Sequence, residues 1–176
     1  MEKNFLVKKY KKEIDWNVAG LFSQDEVLLF ICNEIKKYDL EIPIAYVFGS
    51  IPCLFQSGHI NAHSMNVKDA FKILDKYDEL NIGCRLTFSN HLLEKGDVKD
   101  KKGNQLLEYL HEKNRDIHGV VVSSDALAAH IRKKYPGLQL IASVIKPAVE
   151  VGWGKDTPDY YTRLFDLYDL VVVNIA

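Results

Sequence analysis

Short apolar runs alternate with amphipathic segments along most of this chain. The clearest unit starts at residues 119–122, a Gly-Val-Val-Val run that is typical of a strand buried on both faces. Ser124 or Asp125 is placed to cap a helix directly afterwards, and Leu127 and Ile131 recur at helical spacing. The pattern predicts a strand, a polar turn and a helix. The turn lies at the carboxyl end of the strand, where α/β proteins bind their ligands.

The same pattern predicts five further strands and four further helices. Strands are expected at residues 14–18, 44–48, 84–89, 138–144 and 170–175. Helices are expected at 24–38, where Ser23 and Glu26 form a capping box, at 67–80, after a cap at Asn104, and from Thr157-Pro158 onward. Residues 51–65 and 90–102 are expected to be loops.

Alternating strands and helices favour an α/β fold with a parallel sheet, and one strand favours a barrel over an open sheet. In strand three, Arg85, Thr87 and Ser89 share one face, whereas Leu86 and Phe88 share the other. A barrel can hold polar groups on its inner face, but a doubly wound sheet needs both faces dry. We therefore expect a single domain over 1–176 that forms an incomplete TIM-type (β/α) barrel of about six strands, truncated or completed by another copy. An open doubly wound sheet is the alternative.

Composition and charge exclude several functional classes. The 176 residues are 47% hydrophobic and 27% charged, as in globular domains, and 23 basic against 24 acidic residues give a net charge of -1. No basic field is available for nucleic acid. No apolar run is long enough to span a membrane, and residues 1–10 lack the apolar core and cleavage site of a signal peptide, so we expect a cytoplasmic protein. Three widely spaced cysteines indicate reduced thiols.

Polar side chains collect at the predicted carboxyl ends of the strands, where a barrel binds small molecules. The candidate ligand-binding residues are Asn17, Ser50, Ser89, Asn90, Ser123, Ser124, Asp125, Ser143 and Asn174. Ser124 and Asp125 could instead serve only as helix caps. The sequence contains no nucleotide-binding glycine motif and identifies no cofactor.

Two residues are candidates for catalysis. His91 follows a strand where no periodic helix starts, so it could be a ligand or a general acid/base. Lys146 ends a predicted strand before a proline, and it could form a Schiff base, bind an anion or be a surface lysine.

One loop could contribute to a metal site. Cys53, His59 and His63 offer a sulfur and two imidazoles, with the histidines at i, i+4 spacing. The alternative is a polar loop with unconnected histidines.

Three segments carry a resemblance to known proteins. They are Gly49-Ser50-Ile51-Pro52-Cys53, residues 86–93 (Leu-Thr-Phe-Ser-Asn-His-Leu-Leu), and Val121-Val122-Ser123-Ser124-Asp125 followed by residues 131–136. Together they resemble a group of uncharacterised bacterial barrel proteins and, more distantly, the collagenase-like peptidase family. The resemblance implies a (β/α) barrel. Members of that family continue into a cysteine-rich segment that this chain lacks, and no catalytic residue carries over.

These observations favour an enzyme-type barrel domain, or part of one, that binds a small polar or anionic metabolite at the carboxyl-end face. In this hypothesis His91 acts as acid/base, and Lys146, Ser123 and Ser124 hold the anion. The alternative is a non-catalytic binding or assembly module. Because an apolar last strand would leave an unpaired sheet edge, we also expect the chain to self-associate.

Overall fold

The computed structural model describes residues 16–40, 44–56, 65–152 and 155–173, and within them six parallel strands form one sheet. The strands are β1 (Trp16–Ala19), β2 (Ile44–Gly49), β3 (Gly83–Phe88), β4 (Gly119–Val122), β5 (Gln139–Ala142) and β6 (Leu170–Val171). The helices are α1 (Asp25–Lys37), α2 (Val67–Glu79), α3 (Lys101–Glu112), α4 (Asp125–Lys134), α5 (Ile145–Glu150) and α6 (Pro158–Leu164), with a short 3₁₀ turn at Asp97–Lys99.

Each strand pairs with the next one in the chain, in the order β1-β2-β3-β4-β5-β6. A doubly wound sheet would reverse its order at a switch point, and no reversal occurs here. The sheet curls into a half-barrel, as in an incomplete (β/α) barrel. The predicted fold class is therefore confirmed, and the open doubly wound alternative is wrong.

The main hydrophobic core lies between the convex face of the sheet and the helices. Leu86 and Phe88 on β3 and Val120 and Val122 on β4 are fully or almost fully buried. Apolar side chains of the helices pack against them, among them Leu74, Leu106, Leu107, Leu127 and Ile131. The i, i+3, i+4 spacing in the sequence thus predicted the buried side of these helices.

Side-chain caps confirm two predicted helix starts and correct two others. Thr157 caps α6, since its Oγ1 accepts a hydrogen bond from the Tyr160 N–H at 3.3 Å. Ser124 caps α4, since its Oγ accepts a hydrogen bond from the Leu127 N–H at 3.3 Å. The capping box predicted at Ser23 and Glu26 is wrong, because α1 starts after Gln24 without a side-chain cap.

Asn104 is not a cap either. It lies inside α3, where its side-chain amide donates to the Val98 and Asp100 carbonyls. Asp100 caps this helix instead, because its carboxylate accepts from the Gly103 N–H at 2.6 Å. Helix α3 therefore begins inside the segment that was predicted as a loop.

The end of the chain also differs from the prediction. Strand β5 stops at Ala142, and the short helix α5 takes up Lys146, which was expected to end a strand. Strand β6 is only two residues long, and Asn174 lies outside the described residues. None of the helices in the described ranges combines the length and apolarity that a membrane span requires.

Candidate ligand-binding site on the concave face

The concave face of the half-barrel holds a cavity of about 420 Å³. Alternation along the strands directs every second side chain to this face. Arg85 and Thr87 on β3 therefore lie next to Val121 on β4 and Ile141 on β5. The complete lining is Asn17, Phe48, Arg85, Thr87, Val121, Ile141, Ser143, Val144, Ile145 and Val172. The walls are mostly apolar, and a few polar groups converge on the space, which is the usual composition of a small-molecule site.

Arg85 lies at the centre of this face and connects strands that are not neighbours. Its Nη1 donates to Asn17 Oδ1 on β1 at 2.5 Å, and its Nη2 donates to Gln139 Oε1 on β5 at 2.9 Å. The guanidinium carbon lies 3.5 Å from the centre of the Tyr46 ring, a close cation–π contact. Both hydrogen-bond partners are two strands away from β3, so the curl of the sheet is what brings them within reach.

Two glycines make room for this arrangement. Gly83 pairs with Tyr46, and a Cβ at Gly83 would lie 2.5 Å from the Tyr46 ring and 2.4 Å from the Ile117 carbonyl oxygen. Gly119 lies between Arg85 and Gln139 in the register, and a Cβ there would lie 2.8 Å from the Gln139 carbonyl oxygen. Any side chain at these positions would displace the groups that hold the guanidinium.

Two hydroxyl groups at the cavity end of β3 and β4 are buried without a hydrogen-bond partner among the described residues. They are Thr87 Oγ1 and Ser123 Oγ. Most buried polar groups in proteins are hydrogen-bonded, because an unpaired one loses its contacts with water and gains nothing in return. An unpaired hydroxyl group beside a cavity can be satisfied by a polar atom of a bound molecule.

The structure brings several of the predicted ligand-binding residues to this site. Asn17 and Ser143 line the cavity directly. Ser89 and Ser123 directly follow β3 and β4 and are buried, with 6% and 4% of their surfaces exposed, but they are not among the side chains that line the cavity.

Other predicted ligand-binding residues have local roles. The Asn90 side-chain amide donates to the Leu54 carbonyl at 2.8 Å, and its oxygen accepts from the Leu92 N–H at 3.1 Å. Ser50 donates to the Ile51 carbonyl at 3.1 Å. Ser124 caps α4. These contacts stabilise two loops and a helix end, so they explain the presence of Asn90, Ser50 and Ser124 without a ligand.

Lys146 and Asp125 belong to a separate polar cluster between α4, α5 and α6. Only 1% of the Lys146 side chain is exposed, and its ammonium group bonds Asp125 Oδ1 at 2.7 Å and Glu150 Oε1. Tyr168 donates to Asp125 at 2.9 Å, and Tyr160 donates to Glu150 at 2.7 Å. Burial and these carboxylates raise the pKa of both tyrosines, which therefore stay protonated and act as donors.

This placement corrects the prediction for Lys146. It is neither a strand-end residue nor a surface lysine, and it is not among the side chains that line the concave cavity. Its ammonium group is engaged by two carboxylates, and its roles as a Schiff-base former or an anion ligand stay predictions.

His91 is exposed and does not line the concave cavity, and its catalytic role stays a prediction. His59 and His63, from the predicted metal half-site, lie outside the described residues. Burial raises the pKa of the Cys53 thiol to about 11, which disfavours the thiolate that a metal would need. No group of three possible metal ligands occurs within the described ranges.

Arg85, Thr87 and Gln139 were not among the site residues that the sequence pattern predicted. A signal for the first two was present, since their alternation with Leu86 and Phe88 had indicated a polar inner face. The sequence pattern could not show that Arg85 and Thr87 border a cavity, because the apolar side chains that complete its wall lie on other strands. Gln139 could not be found this way, because its contact with Arg85 spans 54 residues of sequence.

No protein-family model, curated protein or solved structure matches this chain. The resemblance to the collagenase-like peptidase family therefore stays a prediction. The fold and the site define a β/α half-barrel with a ligand-sized cavity on its concave face.

Proposed function

We propose that the concave cavity binds a small organic molecule with an apolar body and an anionic group. One observation carries this proposal: a guanidinium group, oriented by two amide oxygens, forms part of the wall of a mostly apolar space. Arginine is well suited to carboxylates and phosphates, because its planar N–H groups match their oxygens. The volume of about 420 Å³ falls within the range of known ligand pockets.

A matched pair of probes tests the charge preference. Octanoate and octanamide have the same carbon chain, but only octanoate is anionic at pH 7. We expect octanoate to bind more tightly in calorimetric titrations and to raise the melting temperature, because a ligand at a hundredfold excess over Kd stabilises by about 2.7 kcal/mol. Equal affinity for the two probes, or binding of neither, would contradict the proposal.

Variants locate the binding on the molecule. Arg85→Met removes the charge, and Arg85→Lys keeps it, so octanoate binding should be lost in the first and weakened in the second. Arg163→Met is the control, because Arg163 lies near the separate cluster around Asp125 and Glu150. If Arg85→Met fails to fold, the comparison of octanoate with octanamide on the unmodified protein still tests whether the cavity prefers an anion.

An enzymatic role on this ligand is part of the proposal, with His91 as the candidate acid/base. A catalytic histidine should change turnover more than binding. His91→Gln is therefore expected to leave octanoate affinity unchanged. A loss of affinity in this variant would mean that His91 is a binding residue.

The second candidate function is assembly through the edges of the sheet. In the described structure, β1 and β6 each pair with one strand only. Apolar side chains are exposed at both edges: Trp16 at 55%, Val172 at 42% and Val173 at 49%. Open edges with apolar side chains favour association with another chain. Sedimentation equilibrium should show that the protein self-associates and that Val172→Lys weakens the association. A stable monomer at micromolar concentration would contradict this candidate.

A further inference from the structure

Three residues with hydroxyl groups stand towards the carboxyl ends of β3, β4 and β5, on or just after these strands. We refer to Thr87, Ser123 and Ser143 as the hydroxyl cluster. Val121 pairs with Thr87 on one side and with Ile141 on the other, and the two serines follow two residues later on β4 and β5. The Ser143 N–H still bonds the Val122 carbonyl at 2.9 Å, so the parallel ladder continues to this level. Neighbouring strands are about 4.8 Å apart, which places the serines side by side.

The cluster has hydrogen-bonding capacity that the described residues do not use. Thr87 Oγ1 and Ser123 Oγ are buried without a partner among them. Ser143 Oγ accepts from the Ile145 N–H at 3.3 Å, which leaves its own proton available for donation. Two of the three residues, Thr87 and Ser143, also line the cavity.

An apolar side chain would serve the fold better at two of these positions. Valine has the shape of threonine and alanine is close to serine, and neither leaves an unpaired oxygen in an apolar space. Val121 and Ile141 occupy the same level of the concave face as Thr87 and show that apolar residues fit there. A bound oxygen atom would supply the missing hydrogen bonds.

We infer that the ligand carries a second polar group, a hydroxyl or carbonyl oxygen, that binds the hydroxyl cluster while its anionic group binds Arg85. This inference rests on the proposed function. Thr87 lies two residues beyond Arg85 on the same strand, about 6.6 Å along it, and the serines lie one level further. The ligand class is therefore a hydroxy- or oxo-carboxylate whose two polar ends are separated by a short apolar chain.

Two pairs of probes test the inference by calorimetric titration. They are hexanoate with 6-hydroxyhexanoate, and octanoate with 8-hydroxyoctanoate. Each hydroxylated acid should bind about 2- to 12-fold more tightly than its parent, the gain that one hydrogen bond supplies. Thr87→Val should remove this gain for the shorter acid and Ser123→Ala for the longer one, so that each hydroxylated acid then binds no more tightly than its parent.

Stability gives an independent readout. Because each variant removes an unpaired hydroxyl, Thr87→Val and Ser123→Ala should melt at a higher temperature than the unmodified protein, by about 2 °C or more. A hydroxyl that only serves the fold would give a lower melting temperature, and this result would overturn the inference.

The outcomes also separate this inference from the proposed function. Parent acids that bind through Arg85, with no gain from the added hydroxyl group, would overturn the inference and leave the proposed function intact. Binding of no acid would overturn both. A gain that persists in both variants would place the second polar group elsewhere and would also overturn the inference.

Discussion

The buried ammonium group of Lys146 should be stabilised by its carboxylates far more than the carboxylates are stabilised by it. Only 1% of the Lys146 side chain is exposed, whereas 62% of the Asp125 side chain and 37% of the Glu150 side chain are exposed. Removing the lysine leaves two carboxylates that water can reach. Removing both negative charges leaves a positive charge that water cannot reach. The two perturbations should therefore have different costs, although they break the same ion pairs.

The magnitudes follow from the structure. Lys146→Met keeps an unbranched side chain of similar length in the same space and leaves two carboxylates that water can reach, so we expect a loss below about 1 kcal/mol. The double variant Asp125→Asn, Glu150→Gln leaves a buried charge uncompensated, which costs about 3–5 kcal/mol.

Urea denaturation followed by circular dichroism at pH 7 measures both losses. The double variant should also melt about 6–20 °C lower than the unmodified protein, since 1 kcal/mol corresponds to about 2–4 °C in a domain of this size. Asp156→Asn is a control, because that carboxylate bonds Tyr161 outside this cluster. Similar losses in Lys146→Met and in the double variant would refute the asymmetry and would mean that water reaches the ammonium group.

Two further predictions concern the opposite end of the sheet and the two faces of β4. The His118 Nδ1 accepts a hydrogen bond from the Cys84 N–H, and its Nε2 faces Asp78. Burial lowers the pKa of His118, so the unfolded chain takes up a proton more readily than the folded protein. The free energy of unfolding should therefore fall as pH drops below about 6.5, by at most about 1.4 kcal/mol per pH unit. In His118→Gln the free energy of unfolding, measured by urea denaturation, should depend less on pH. An unchanged pH dependence in this variant would contradict the assignment. Val120→Asp should unfold the protein, because Val120 is fully buried on the convex face, whereas Val121→Asp should fold, because Val121 borders the cavity. Circular dichroism decides, and a folded Val120→Asp would reverse the assignment of the two faces.

The sequence determined the local elements and the two faces of the strands. Residues such as Leu127 and Ile131 recur at helical spacing, and this spacing alone fixes which side of α4 is buried. Arg85 and Thr87 alternate with Leu86 and Phe88, which predicts a polar concave face and an apolar convex one. These features depend on neighbours within a few residues, so they can be seen without the fold.

Helix starts were less predictable, because several nearby side chains can compete for the same backbone donors. Asp100 and Asn104 are both good capping residues, and Asp100 prevails because its carboxylate accepts from the Gly103 N–H. Ser124 was one of the two residues predicted to cap α4, and only Ser123 separates it from the end of β4, which fixes where the helix can begin. The choice between candidates depends on backbone angles that the flanking elements impose.

Only the tertiary structure decided where the charged and hydroxyl groups lie relative to one another. The contacts of Arg85 with Asn17 and Gln139 span 68 and 54 residues, and they form because the sheet curls and because Gly83 and Gly119 leave room. Lys146 was expected at the mouth of the barrel, but a helical turn at α5 directs it to Asp125 and Glu150. Such partners are set by the curvature of the sheet and the packing of helices. These are properties of the whole chain, so no local pattern in the sequence specifies them.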